Sequence, residues 1–273
     1  MTPQASLFMA LKHLHRAAMA WLGSWWRLLN FAVQILSLAL SPSSYARANR
    51  PALARQLVLA TAPNLLWFSV LCALISLVLI RIVVVTALSY GLSQFALEMV
   101  VRVLVLELIP LTAALFVALR ITLPDAIEFA QLRARGTLDA LQSEGADLLH
   151  REFFPRVLAG VFATWMLAAV SCVLALVLAY LTIYGFTPWA LQGYTRVVGQ
   201  VFNPAVTLIL ALKIVFFSFA VALIPMSSAY YADDADDAGP RGRRRGTHGL
   251  SEMLRLFSVI LIIEIASLMG NYY

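Results

Sequence analysis

The stretch that decides the fold is Val157 to Thr195, VLAGVFATWMLAAVSCVLALVLAYLTIYGFTPWALQGYT, which contains no Asp, Glu, Lys or Arg. A helix rising 1.5 Å per residue needs about 20 apolar residues to cross a hydrocarbon core about 30 Å thick. This run supplies one crossing and a connection beyond it. Its apolar residues are continuous rather than alternating, so the backbone must pair within helices and not around a barrel.

The rest of the chain, 273 residues in all, repeats the pattern. It is 62% hydrophobic and 12% charged, where an average soluble domain has about 45–50% and 25%. A water-soluble enzyme and a disordered protein are both excluded. Lys and Arg number 20 against 14 Asp and Glu, a formal net charge of +6. The positive residues are almost all Arg and lie between the apolar runs, which marks topology rather than nucleic-acid binding. Cys72 and Cys172 each sit inside an apolar run and read as small packing residues, not as a disulfide or a metal site. Lys12, His13, His15 and Arg16 interrupt the first residues, so a cleaved signal is not expected.

Residues 5–40 mix apolar bulk with Lys12, Arg16 and Arg27, and Trp21, Trp25 and Trp26 suit a bilayer interface. A helix lying in the membrane surface is expected there; a plain first span is the alternative. A polar joint with Pro42, Arg47, Arg50, Pro51 and Arg55 follows. Spans are expected at 62–89, 95–119, 157–183, 201–226 and 255–270. Between the second and third lies 120–156, where charge alternates with Ile127, Phe129, Leu132, Leu138, Leu141, Leu148, Leu149, Phe153 and Phe154 at helical spacing. It is either an amphipathic element against which a motor pushes or a solvated loop on headgroups. Residues 184–200 are expected as a turn and 233–250 as a charged loop. The expected fold is all-α polytopic, one transmembrane domain with an interfacial helix and about five spans. The Arg and Lys of 41–56, 120–156 and 233–250 put those segments and the N-terminus in the cytoplasm, and the C-terminus outside.

In the second span the chain reads Leu106-Glu107-Leu108-Ile109-Pro110, then Ala118-Leu119-Arg120, then Ile127-Glu128-Phe129-Ala130. Thr137-Leu138-Asp139-Ala140-Leu141, Gly145, Asp147 and Pro155-Arg156 follow, then Lys213-Ile214-Val215-Phe216-Phe217, with Arg55-Gln56-Leu57 before and Gly270-Asn271 after. In this order and spacing the chain resembles the MlaE/YrbE permease family, the membrane subunit of ABC-type lipid transporters that work with MCE-domain proteins. Glu107, Pro110, Arg120 and Glu128 fall on family positions without a gap. Family glycines beside Glu107 and around Arg120 are Ile109, Leu119 and Thr122 here, and small residues are what let membrane helices approach closely. A divergent half of a heterodimeric permease therefore stands beside a homodimer.

Charges inside hydrocarbon need a partner or a cavity, which singles out Arg81, Glu98, Arg102, Glu107, Lys213 and Glu264. Arg81, Arg102 and Glu107 lie about 13, 10 and 18 Å from the outer ends of their spans, so they are expected to meet, as an ion pair fixing helix register or as the rim of a cavity. The resemblance implies a lipid cavity lined by the positions of Leu79, Ala87, Tyr90, Glu107 and Leu108. It also implies an ATPase-docking segment holding Arg120, Glu128, Arg133, Asp139 and Glu144. His13, His15, His150 and His248 have no ligand spacing, and no nucleophile set or phosphate-binding Gly-rich loop is present. The resemblance thus implies a permease that is not itself an enzyme and carries no cofactor, ATP being bound by a partner subunit. It would sit in a bacterial inner membrane with an ABC ATPase, an MCE-domain protein, a second permease protomer and phospholipid. A non-transporting scaffold and a stand-alone solute transporter are the alternatives; the short length and absent internal repeat weigh against the latter.

Overall fold

The computed structural model describes residues 3–45, 50–92, 95–136, 148–231 and 245–272, and every regular element among them is helical. Helix α1 is Pro3–Leu40 and α2 is Arg50–Ser89. Helix α3 is one rod assembled from Ala96–Val100, Val101–Leu108, Ile109–Val117, Ala118–Thr122 and Leu123–Ala134. Helix α4 is Phe154–Tyr184, entered through a turn at Leu149–Phe153; α5 is Leu191–Val201, α6 Pro204–Tyr230 and α7 Arg245–Tyr272. Five of these, α2, α3, α4, α6 and α7, are long and apolar enough to cross a membrane, and α1 is not among them. The protein is an all-α, multi-pass membrane protein.

Proline shapes the central rod. Val101–Leu108, Ala118–Thr122 and Leu149–Phe153 are π-helical, and each ends two residues before a proline, Pro110, Pro124 or Pro155. A proline ring displaces the carbonyl four residues back and offers it no N–H. The residue just before each proline compensates by reaching one position further: Ile109, Leu123 and Phe154 donate to the carbonyls of Leu104, Ala118 and Leu149. Helix continuity is kept at the cost of a local bulge of the kind common at functional sites.

Packing makes α3 the axis of the molecule. The most apolar window of α3 is 61% buried, against 22–33% in the other four spans. Val101, Val105, Ala113, Ala114 and Val117 on α3 meet Leu167 and Ala168 on α4 and Phe217 and Val221 on α6 in one core. A second core at the Arg-rich end gathers Phe31 of α1, Phe129, Phe153, Phe154 and Met226. Arg255 of α7 ties α1 on, its guanidinium 4.7 Å from the Trp25 ring and donating to the Ser24 carbonyl at 3.2 Å.

Four expectations change. The first span, expected at 62–89, is the far part of a helix that starts at Arg50; no glycine interrupts it, and Pro51 sits in the first turn, where a missing N–H costs nothing. The turn expected over 184–200 contains α5, started by a short 3₁₀ turn at Pro188–Ala190 and burying Tyr194 and Val201, seven residues apart on one face. The first part of the 120–156 element is not a separate helix: Leu123–Ala134 prolongs α3 directly, because the π register carries the chain past Pro124. The charged loop expected over 233–250 is helical from Arg245, where α7 begins; its residues 233–244, and residues 137–147 of the preceding element, lie outside the described residues.

Candidate functional site

Three spans bring their ionisable residues to one buried point. Lys213 of α6, 2% exposed, pairs with Glu107 of α3, and its Nζ lies 2.8 Å from Glu264 Oε2 of α7. Both carboxylates are 8% exposed. The Lys213 ammonium also donates to the Leu106 carbonyl at 3.2 Å. That carbonyl is the one Pro110 cannot serve, lying four residues before it, so the helix defect and the buried cation satisfy each other. Asn271, two turns after Glu264 on α7, donates through Nδ2 to Glu107 Oε1 at 3.1 Å. Two carboxylates thus share one ammonium, and the site has a formal surplus of one negative charge. Counted along α3, Glu107 is about 16 Å from Ala96, well inside the span.

The pairing differs from the expected one. Arg102 is held by Glu98 one turn earlier on α3, Nε to Oε1 at 2.9 Å, and the pair is partly exposed near the start of that helix. Arg81 is exposed on α2 and has no ion pair among the described residues. Neither reaches Glu107. Distance along a helix gives depth but not azimuth, and a local i,i+4 partner took Arg102 first. Of the positions implied as a lipid lining, Ala87 is buried, Leu79 and Leu108 are partly buried against the main core, and Tyr90 is 77% exposed at the far end of α2. Glu107 turns instead toward α6 and α7.

A family model described as "Permease MlaE" matches residues 53–267. The chain belongs to the MlaE permease family. Similar proteins include probable ABC transporter permease proteins of Rickettsia conorii, Rickettsia prowazekii and Rickettsia felis. Each is 28% identical over 183 residues, covering 64% of this chain and 69% of the relative. The matched region takes in Glu107, Lys213 and Glu264 and ends just short of Asn271.

At the Arg-rich end this MlaE permease carries a second charged constellation. Glu128 pairs with Arg156 at 3.2 Å, and that guanidinium lies 4.3 Å over the Phe129 ring, itself stacked on Phe153 at 4.2 Å between centroids. Arg133 donates to the Ala229 carbonyl at 3.1 Å and to that of Tyr230, closing the C-terminus of α6 with a cation. Arg120 is exposed. Asp139 and Glu144 lie outside the described residues. Arg133→Gln should lower stability by up to about 2 kcal/mol, the upper limit for a cation at a partly buried helix end. Hydrogen exchange of the last turn of α6 checks it, with faster exchange at Ser228 to Tyr231 than in α4.

Asn271 and Arg156 joined these clusters without being singled out as site residues in the sequence; the only signal for Asn271 was its place after Gly270 in the family register. At the opposite end, Tyr194 donates to the Leu176 carbonyl at 2.8 Å and meets the rings of Tyr180 and Tyr184 at 5.2 and 6.3 Å. Burial and the neighbouring Tyr184 push the Tyr194 hydroxyl up to about 12. Amphipathic tyrosines of this kind mark a membrane–water boundary.

Proposed function

We propose that this chain is the permease subunit of an ABC-type phospholipid transporter in a bacterial inner membrane. It would work with an ABC ATPase on its Arg-rich cytoplasmic side, an MCE-domain protein on the other, and a second permease protomer. The observation that carries the reading is the buried cluster of Glu107, Lys213, Glu264 and Asn271. Ionisable groups are expensive inside a membrane and mark substrate pathways there. A charged point among apolar spans suits an amphiphile, with polar atoms near the charges and acyl chains along positions such as Leu79 and Leu108. The Arg156–Glu128 pair and the capped end of α6 form a stiff block on which nucleotide-driven closure of an ATPase would push. Rigid-body rocking of that block would change the space around α3.

The test uses the intact complex in vesicles and follows ATP-driven transfer of a fluorescent phospholipid. Glu107→Gln keeps the amide-compatible contact with Asn271 but removes one charge of the cluster. Transfer should fall by roughly tenfold, equivalent to about 1.4 kcal/mol, with the complex still assembled. Unchanged transfer in an assembled complex would overturn the reading in favour of a scaffold.

A further inference from the structure

A groove of about 740 Å³ lies well away from the Glu107 cluster, between the first half of α2 and the start of α4. Its walls include Leu57 and Leu65 of α2 and Leu158 and Phe162 of α4, with Tyr45 and Arg50 at one end. The lining is almost wholly apolar, and the volume is that of a site for a small ligand. From Arg50 to Leu65 the helix climbs about 22 Å. One leaflet contributes about 15 Å of a 30 Å hydrocarbon core, so the groove runs from headgroup level to near the midplane. On the other wall Arg156 stands two residues before the lining residue Leu158, so both walls carry an arginine at that end.

The polar end is charged. Arg50 is exposed, and its Nε donates to the Tyr45 carbonyl at 3.0 Å. Among the described residues no hydrogen bond or ion pair engages its terminal nitrogens, whose fork suits two oxygens of a phosphate. Arg55, next to the lining residue Ala54, is exposed on the same stretch of helix. We propose that this groove holds one acyl chain of an anionic phospholipid from the leaflet at the Arg-rich end, its phosphate on Arg50. The charge complementarity selects the lipid over a second copy of this chain, whose own surface at that level is again Arg-rich. The site stands on the membrane-spanning fold alone and does not rest on the transport reading.

The experiment places the full chain, with the subunits that copurify, in nanodiscs containing phosphatidylglycerol whose acyl chain bears a photoactivatable diazirine. Labelled residues are mapped by mass spectrometry. Label should concentrate on 53–65 and 158–162, and phosphatidylcholine carrying the same group should label these residues several-fold less. Arg50→Gln should cut the phosphatidylglycerol label about tenfold, the loss of one charge-assisted contact. Ala62→Trp, at an exposed lining position, should abolish label in the groove while leaving label at Leu74, outside it, unchanged. Equal label along the whole exposed face of α2, insensitive to both variants, would overturn the proposal. So would Ala62→Cys giving an efficient disulfide between two copies, because the occupant would then be a second protomer.

Discussion

Replacing Lys213 with methionine should cost this protein about 3–5 kcal/mol, the range for leaving a buried charge without its partner. Two carboxylates lose their shared ammonium at once, and the Leu106 carbonyl freed by Pro110 loses its donor. Neither Glu107 nor Glu264 can turn to water, because both are buried between α3, α6 and α7. A fall in melting temperature of the detergent-solubilised chain would register the loss. The combined variant Glu107→Gln, Lys213→Met, Glu264→Gln should recover most of it, since removing all members of a buried ionic group together is often near neutral. If the single and triple variants melt alike, the cluster is not the joint between these three spans.

The second large effect lies where three helices touch. A Cβ on Gly160 of α4 would stand 2.9 Å from Thr122 Cγ2 on α3 and 3.4 Å from Ala222 Cβ on α6. Alanine normally improves a helix over glycine by about 1 kcal/mol. Here Gly160→Ala should instead destabilise, because overpacking costs about 1–3 kcal/mol, and Gly160→Val should do so more strongly. Thr122→Ser keeps the hydroxyl bonded to the Ala118 carbonyl while deleting the clashing methyl, so it should suppress Gly160→Ala. Gly193 in α5, with nothing within 4 Å, is the control: Gly193→Ala should stabilise by about 0.5–1 kcal/mol. Thermal melts of these variants decide the matter, and a stabilising Gly160→Ala would show that α3 and α4 stand further apart.

Much of the architecture was legible because hydrocarbon thickness dictates helix length. Runs such as Val157 to Tyr184 could only be spans. The family register was legible as well, since Glu107, Pro110 and Lys213 stand in recognisable order. The helix defects could have been read too: each π segment leads into a proline, and a proline inside an apolar run leaves one carbonyl unserved. What misled was treating depth as proximity. Arg81, Arg102 and Glu107 lie at comparable distances from the ends of their spans, yet Arg81 faces outward and Arg102 is satisfied within its own helix.

The sequence alone therefore determined that this is a polytopic helical membrane protein with about five spans, and that Glu107, Lys213 and Glu264, charged and inside apolar runs, required partners, because burial costs depend only on residue type and run length. Only the tertiary structure decided the partners. Which face of α6 meets which face of α3 and α7 is set by packing around Gly160, Ala222 and the core of α3. That rotation turns Lys213 toward Glu107, Glu264 and the carbonyl that Pro110 left open.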